Sequence, residues 1–279
     1  MPPPLLPRYG VGVTDPLDRI AAALERLAPP PPRGADPLAH PAYVWRGGVL
    51  LAASGWRPQL VWSLSGIDPQ RDAVLGNLRR LARGHAAHDV LLWGARGTGK
   101  SALVNAAVLQ VQDEALDLAL VEVRDLASLP ALFALLAAEP RAYAVFIDDL
   151  GFDAVADARA LRSMLEGGAE ARPRNARLFV TSNRRHLVPR DMTEQADPIN
   201  PRDALDDSLA LADRFGLSLG FHAVDQQGYL DIVEGYAEAS GLPFDPADAL
   251  GWATRRGGRS GRVAWQYVVE LAGRLGRAV

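Results

Sequence analysis

The spacing of apolar and polar positions changes character along the chain. Between residues 15 and 28, Leu17, Ile20, Ala21, Leu24 and Leu27 recur at three- and four-residue intervals, which predicts one amphipathic helix. Proline clusters at 2–7 and 29–32 flank it, and PPPPRGADPLAHP reads as an extended linker. The rest of residues 1–65 shows no regular period. An apolar stretch from Tyr43 to Leu64, carrying Trp45, Trp56 and Trp62, is expected to pack on the segments C-terminal to it. No internal repeat is visible.

From Ser65 the pattern alternates. Short apolar runs at 89–93, 118–123, 143–148, 177–182 and 217–222 predict strands. Segments of helical period at 70–83, 100–112, 125–137, 155–167 and 203–215 separate them. Strands joined through helices require crossovers, and so a parallel sheet. After Asp225 no strand signal remains, and 225–240, 246–255 and 262–277 read as three helices. The expected division is a proline-rich and helical N-terminal extension over 1–64, an α/β domain over 65–222 and a small helical domain over 223–279.

Composition narrows the classes. Of 279 residues, 48% are hydrophobic, enough for a substantial core. The formal charge of −3 gives no polybasic signature, so nucleic acid binding would need a local patch. There are no cysteines, which excludes disulfides, thiolate metal sites and a cysteine nucleophile. No run of eighteen or more apolar residues occurs, and MPPPLLPRYGVGVTD lacks the layout of a signal peptide. A cytoplasmic protein without membrane insertion is therefore expected. Among the basic residues Lys100 is the only lysine.

That lysine lies in Gly94-Ala95-Arg96-Gly97-Thr98-Gly99-Lys100-Ser101, a G-x4-G-K-S loop between a predicted strand and a predicted helix. Glycines there let backbone N–H groups turn around a phosphate, and the following helix aims its positive end at the same anion. Lys100 would bridge the β- and γ-phosphates of ATP, and the Ser101 hydroxyl would ligate Mg²⁺. Leu103, in the first turn of that helix, is counted with the nucleotide-binding set. A dinucleotide fingerprint fits less well, because GARGTG has the wrong glycine spacing. About 50 residues on, Val145-Phe146-Ile147-Asp148-Asp149 describes a buried strand delivering two carboxylates at its C-terminal edge. Asp148 would hold Mg²⁺ through water, and Asp149 would orient or deprotonate the attacking water. A third strand, Phe179-Val180-Thr181-Ser182, ends in Asn183, placed to meet the γ-phosphate or the lytic water.

These motifs together resemble the AAA+ ATPases. Over about 65–279 the chain is similar to a bacterial AAA+ family known as domain of unknown function 815, through GIDPQ, LLWGARGTGKS, IDDLGF, TSNRRHLVPRDM, LADRFGLSLGFH and RRGGRSGRVAWQYV. The resemblance implies a three-layer αβα P-loop core with a five-stranded parallel sheet in order 5-1-4-3-2. It also implies a helical lid and ATP bound between core and lid, often at a subunit interface. It makes Asn183 similar to the sensor-1 position and Arg214 similar to the arginine finger offered to a neighbour. Arg262, or Arg259 in its place, resembles the lid's sensor-2 arginine. Gly66 and Ile67 resemble the segment lying against adenine. Most members place glutamate after the Mg²⁺ aspartate, whereas Asp149 is shorter by one methylene, about 1.5 Å. Slow, switch-like turnover is the expectation.

Other readings stand beside these. Arg214 could pair instead with Asp206 or Asp207. Arg172, Arg174, Arg177, Arg184, Arg185 and Arg190 form either a basic rim or, with Glu166, Glu170, Asp191 and Glu194, a salt-bridged surface. His85 and His88 lack the partners of a metal site. The expected function is Mg²⁺-dependent ATP hydrolysis by a nucleotide-dependent homo-oligomer acting on a protein or nucleic-acid client. A nucleotide-gated adaptor or loader for DNA or RNA machinery is the alternative. The segment after the second strand, RDLAS, has no aromatic residue for threading a polypeptide.

Overall fold

The computed structural model describes residues 15–27, 34–150, 161, 164–165, 172–183 and 214–278. Most of the helices expected over 155–167 and 203–215 lies outside these residues. So do Arg184, Arg185, Arg190, Asp191, Glu194, Asp206, Asp207, Glu166 and Glu170. The chain divides after Gly34 into two units. In the first, α1 (Pro16–Leu27) starts at Asp15, whose carboxylate accepts the Leu17 amide at 3.0 Å. Leu17, Ile20 and Leu24 of α1 are exposed.

The second unit is built on one sheet. Its strands are β1 (Ala42–Arg46), β2 (Val49–Ala52), β3 (Val90–Gly94), β4 (Leu118–Val123), β5 (Ala142–Ile147), β6 (Ala176–Ser182) and β7 (Leu217–Phe221). They lie in the order β2-β1-β4-β5-β6-β3-β7, and every pairing but β1–β2 is parallel. Among the described residues the sheet therefore has seven strands where five were expected. The two extra strands come from the supposed N-terminal extension: β1 pairs with β4, and β2 folds back on β1 across Gly47 and Gly48. Both glycines have positive φ, 57° and 75°, as a tight two-residue hairpin turn requires.

Alternation along the strands feeds two cores. Leu118 and Leu120 of β4 face α2 (Asp68–Ala82) and α3 (Lys100–Asp113), together with Val90, Leu92 and Phe179. Ala119 and Val121 face the other way, with Leu91, Val145 and Val180, toward α4 (Leu129–Ala137) and the helical residues Leu161, Met164 and Leu165. Strands buried on both faces read as continuous apolar runs, which is why they were visible in the sequence. The helix expected over 125–137 is broken: Leu126–Ser128 form a 3₁₀ turn capped by Asp125, and α4 comes next with Pro130 in its first turn.

The chain ends in α5 (Gln226–Ala239), α6 (Pro246–Arg255) and α7 (Gly261–Arg274), which share a core of Tyr229, Val233, Tyr236, Ala249, Tyr267 and Val268. Each starts at a side-chain cap, Asp225, Asp245 and Ser260 respectively. At the opposite end of the sheet from the site, Asp89 anchors the start of β3. Its carboxylate, 2% exposed, accepts the Leu178 amide at 2.8 Å and pairs with Arg172 at 2.7 Å. A buried carboxylate of this kind needs both partners.

Candidate functional site

Strand order decides which loops meet. β3 lies between β6 and β7, and β6 lies beside β5, so the C-terminal ends of β3, β5 and β6 are neighbours. They deliver the loop 94–99, the pair Asp148-Asp149 and Asn183 to one place, as ligand sites on open α/β sheets require. Gly94 is needed at the start of the loop: at φ 137°, a Cβ there would lie 1.9 Å from the Phe221 carbonyl oxygen of β7. Gly99 has φ 94° and caps α3, which begins with Lys100 and Ser101.

Lys100 is buried beneath this loop. Its ammonium donates to the carbonyls of Gly94 at 2.8 Å and Ala95 at 2.7 Å, and to Asn183 Oδ1 at 3.3 Å, which uses all three protons. Burial lowers its pKa, Asp149 and Asp148 oppose that shift, and the positive Arg262 and Arg96 add to it. Beside it, the Ser101 hydroxyl donates to Asp148 Oδ1 at 2.5 Å. Thr181, 1% exposed, donates to the same oxygen at 2.6 Å and accepts the Asp149 amide at 2.7 Å. Asp149 adopts a left-handed conformation, φ 48°, which turns its carboxylate toward Asn183 Nδ2 and, at 3.9 Å, Arg96. Aspartate tolerates that region better than most residues.

These groups line a cavity of about 400 Å³ whose far wall comes from the C-terminal helices α5 and α7. Arg262 lines it; Arg259 does not. The junction is tight: the Arg262 amide donates to the Gly97 carbonyl at 3.3 Å, and a Cβ on Gly97 (φ 79°) would lie 2.9 Å from Ser260 Oγ. The N-terminus of α7 thus abuts the glycine loop.

Not every expected residue reaches the cavity. Leu103 is fully buried in the core beneath it and presents nothing to a ligand, which corrects its place in the binding set. Gly94, Ala95 and Thr98 shape the loop without lining the cavity. Ile67 packs beside Gly99 and, like Gly66, lies outside the lining. Arg214, just before β7, does not line it either. Seven lining residues were not anticipated: Ala102 and Gly261, which adjoin expected ones, and Thr181, Gln59, Leu64, Tyr236 and Trp265. Thr181 carried a signal, because a hydroxyl in a strand buried on both faces must find partners. Tyr236 and Trp265 lie on two of the C-terminal helices, α5 and α7. Their rings meet edge to face at 5.4 Å, and Tyr236 donates to Gln59 at 3.4 Å.

Three cations, two carboxylates and the hydroxyls of Ser101 and Thr181 at one end of the cavity suit a polyphosphate carrying a divalent ion. Ser101 and Asp148 offer only oxygen ligands, and no group of three or more His, Asp or Glu side chains forms a metal cage among the described residues. That fits Mg²⁺, which keeps its waters and is held by one or two protein oxygens plus phosphate.

The profile of a family described as "Protein of unknown function (DUF815)" matches residues 38–275. No curated protein matches the chain in sequence. Among solved structures it is similar to the Thermotoga maritima RuvB Holliday junction branch migration motor, at 16% identity and a TM-score of 0.52, covering 80% of this chain and 67% of that one. It is similar also to the Aeropyrum pernix Orc1 protein solved in complex with DNA, at 18% identity and a TM-score of 0.54, covering 79% and 66%. At such identities the likeness speaks for the fold alone, an α/β architecture on a mostly parallel sheet.

Proposed function

The chain belongs to the DUF815 family, and we propose that it is an AAA+ ATPase that binds ATP with Mg²⁺ between its α/β core and its three C-terminal helices and hydrolyses it slowly. The observation that carries this reading is the placement of Lys100 and the Ser101–Asp148 pair at one end of a cavity that the N-terminus of α7 closes. Backbone amides of the loop and the start of α3 bind the phosphates, and Lys100 leaves its carbonyls for the β- and γ-oxygens. Ser101 and Asp148 hold Mg²⁺, which neutralises developing charge when bound. Asp149, oriented by Asn183, aligns the attacking water and accepts its proton. Arg262 meets the phosphates from the helical side, so that nucleotide state is transmitted between core and helices. Arg214 is assigned to a neighbouring copy's site, and the protein to a nucleotide-dependent assembly in the cytoplasm that remodels a macromolecular client.

Phosphate release from ATP with Mg²⁺ tests the catalytic assignment. Asp149→Asn keeps a residue that tolerates φ 48°, so it should retain ATP binding while turnover falls by about 100-fold or more. Unchanged turnover would remove Asp149 from the mechanism.

A second reading, a nucleotide-gated adaptor or loader on DNA or RNA, is favoured by the two structural neighbours, one a Holliday junction motor and the other solved with DNA. Binding to duplex DNA or RNA, measured with ATP and with ADP across a salt series, separates the two. Loss of affinity with salt in one nucleotide state supports the loader, and no binding in either state rejects it.

A further inference from the structure

The G-x4-G-K-S pattern asks nothing of the side chain at position 96, because the loop grips phosphate through its backbone. Here that position is an arginine, and its side chain lines the cavity. The contacts around it run in sequence. Lys100 Nζ donates to Asn183 Oδ1, Asn183 Nδ2 donates to Asp149 Oδ1, and the Arg96 guanidinium stands 3.9 Å from Asp149 Oδ2. Both ends of the Asn183 amide are thereby assigned, and the four side chains surround one end of the cavity. A phosphate held on Lys100, with its water aligned on Asp149, has Arg96 on its flank.

We infer that Arg96 is a ligand of the terminal phosphate supplied in cis, by the glycine loop itself, and that this residue distinguishes a nucleoside triphosphate from a diphosphate. The inference rests on the ATP-binding reading above. Three features support it. The ion pair to Asp149 is long and the Arg96 side chain is 77% exposed, so little holds the guanidinium in its ligand-free position. A guanidinium can bind two phosphate oxygens at once, which an ammonium cannot do in the same geometry. Lys100, Arg96 and Arg262 crowd one cavity against two carboxylates, an arrangement that a polyanion relieves. The same movement that takes Arg96 to the phosphate releases Asp149 from its positive neighbour, leaving the carboxylate free to hold water.

Calorimetric titration with a non-hydrolysable ATP analogue and with ADP, both with Mg²⁺, tests this on wild type, Arg96→Ala and Arg96→Lys. Arg96→Ala should weaken the triphosphate roughly 10- to 100-fold, as loss of a charge-assisted contact does, and leave ADP within about twofold. Arg96→Lys should fall between. Because the residue acts in cis, the selective loss should be the same across protein concentrations. Equal weakening of both nucleotides, or no weakening of either, overturns the assignment while leaving ATP binding intact. If wild type binds neither nucleotide, the assignment and the function it rests on both fall. Circular dichroism of each variant confirms that the exposed substitution leaves the fold unchanged.

Discussion

Thr181→Val takes one oxygen out of the site while nearly preserving the shape of the side chain. The hydroxyl serves both acids at once, donating to Asp148 at 2.6 Å and accepting the Asp149 amide at 2.7 Å. A hydrogen bond to a charged group contributes about 1.5–3 kcal/mol and a neutral one about 0.5–1.5 kcal/mol. Asp148 and Asp149 are both open to solvent, so water takes up part of the loss. The net destabilisation should be roughly 1–3 kcal/mol, read as a lower urea midpoint with an unchanged slope. The larger effect should fall on the metal. Without Thr181, the side chain that holds Asp148 among the described residues is Ser101, the residue proposed to turn to Mg²⁺, and the left-handed turn at Asp149 loses its anchor. The Mg²⁺ concentration for half-maximal ATP binding should rise about tenfold for each 1.4 kcal/mol lost at the carboxylate. Thr181→Ser, which restores the oxygen, should return the Mg²⁺ requirement toward wild type. A valine variant with the wild-type requirement, or a serine variant that behaves like valine, would refute the clamp.

Two further predictions concern the loop. Gly97→Ala forces a left-handed alanine, at about 1 kcal/mol, against Ser260, whose capping of α7 is worth about another 1 kcal/mol; thermal unfolding should show the loss, and ATP affinity should fall with it. Lys100 titrates in the fold below its ordinary 10.5, so folding releases a proton in the window between the two values. The ligand-free protein should therefore gain stability as pH rises through that window and lose the gain as pH falls through the folded pKa. ATP affinity should move the opposite way, since phosphate needs the ammonium; calorimetry across alkaline pH checks the sign.

The parts of the site set by local chain chemistry were legible in the sequence. Gly94, Gly97 and Gly99 all take positive φ; Asp148 and Asp149 follow the apolar run of β5, and Asn183 follows β6, whose run Leu178-Phe179-Val180 is apolar. The hairpin of β1 and β2 was missed although Arg46-Gly47-Gly48-Val49 carries a turn signal between apolar runs. Nothing local announces that β1 then pairs with β4, because that choice is made by the two cores together. For the same reason the cavity wall was not visible. Gln59, Leu64, Tyr236 and Trp265 come from segments far apart in the chain and acquire a shared face only once α5 and α7 pack over the loop. Leu103 erred in the other direction: one turn into α3 its side chain turns to the core.

Calorimetric titration of ATP with Mg²⁺ into wild type and Lys100→Ala tests the central claim most directly. The account predicts one binding site per chain in the wild type and none detectable in the variant, with both proteins folded. Saturable ATP binding that survives in Lys100→Ala, or a folded wild type that gives no heat, would contradict it.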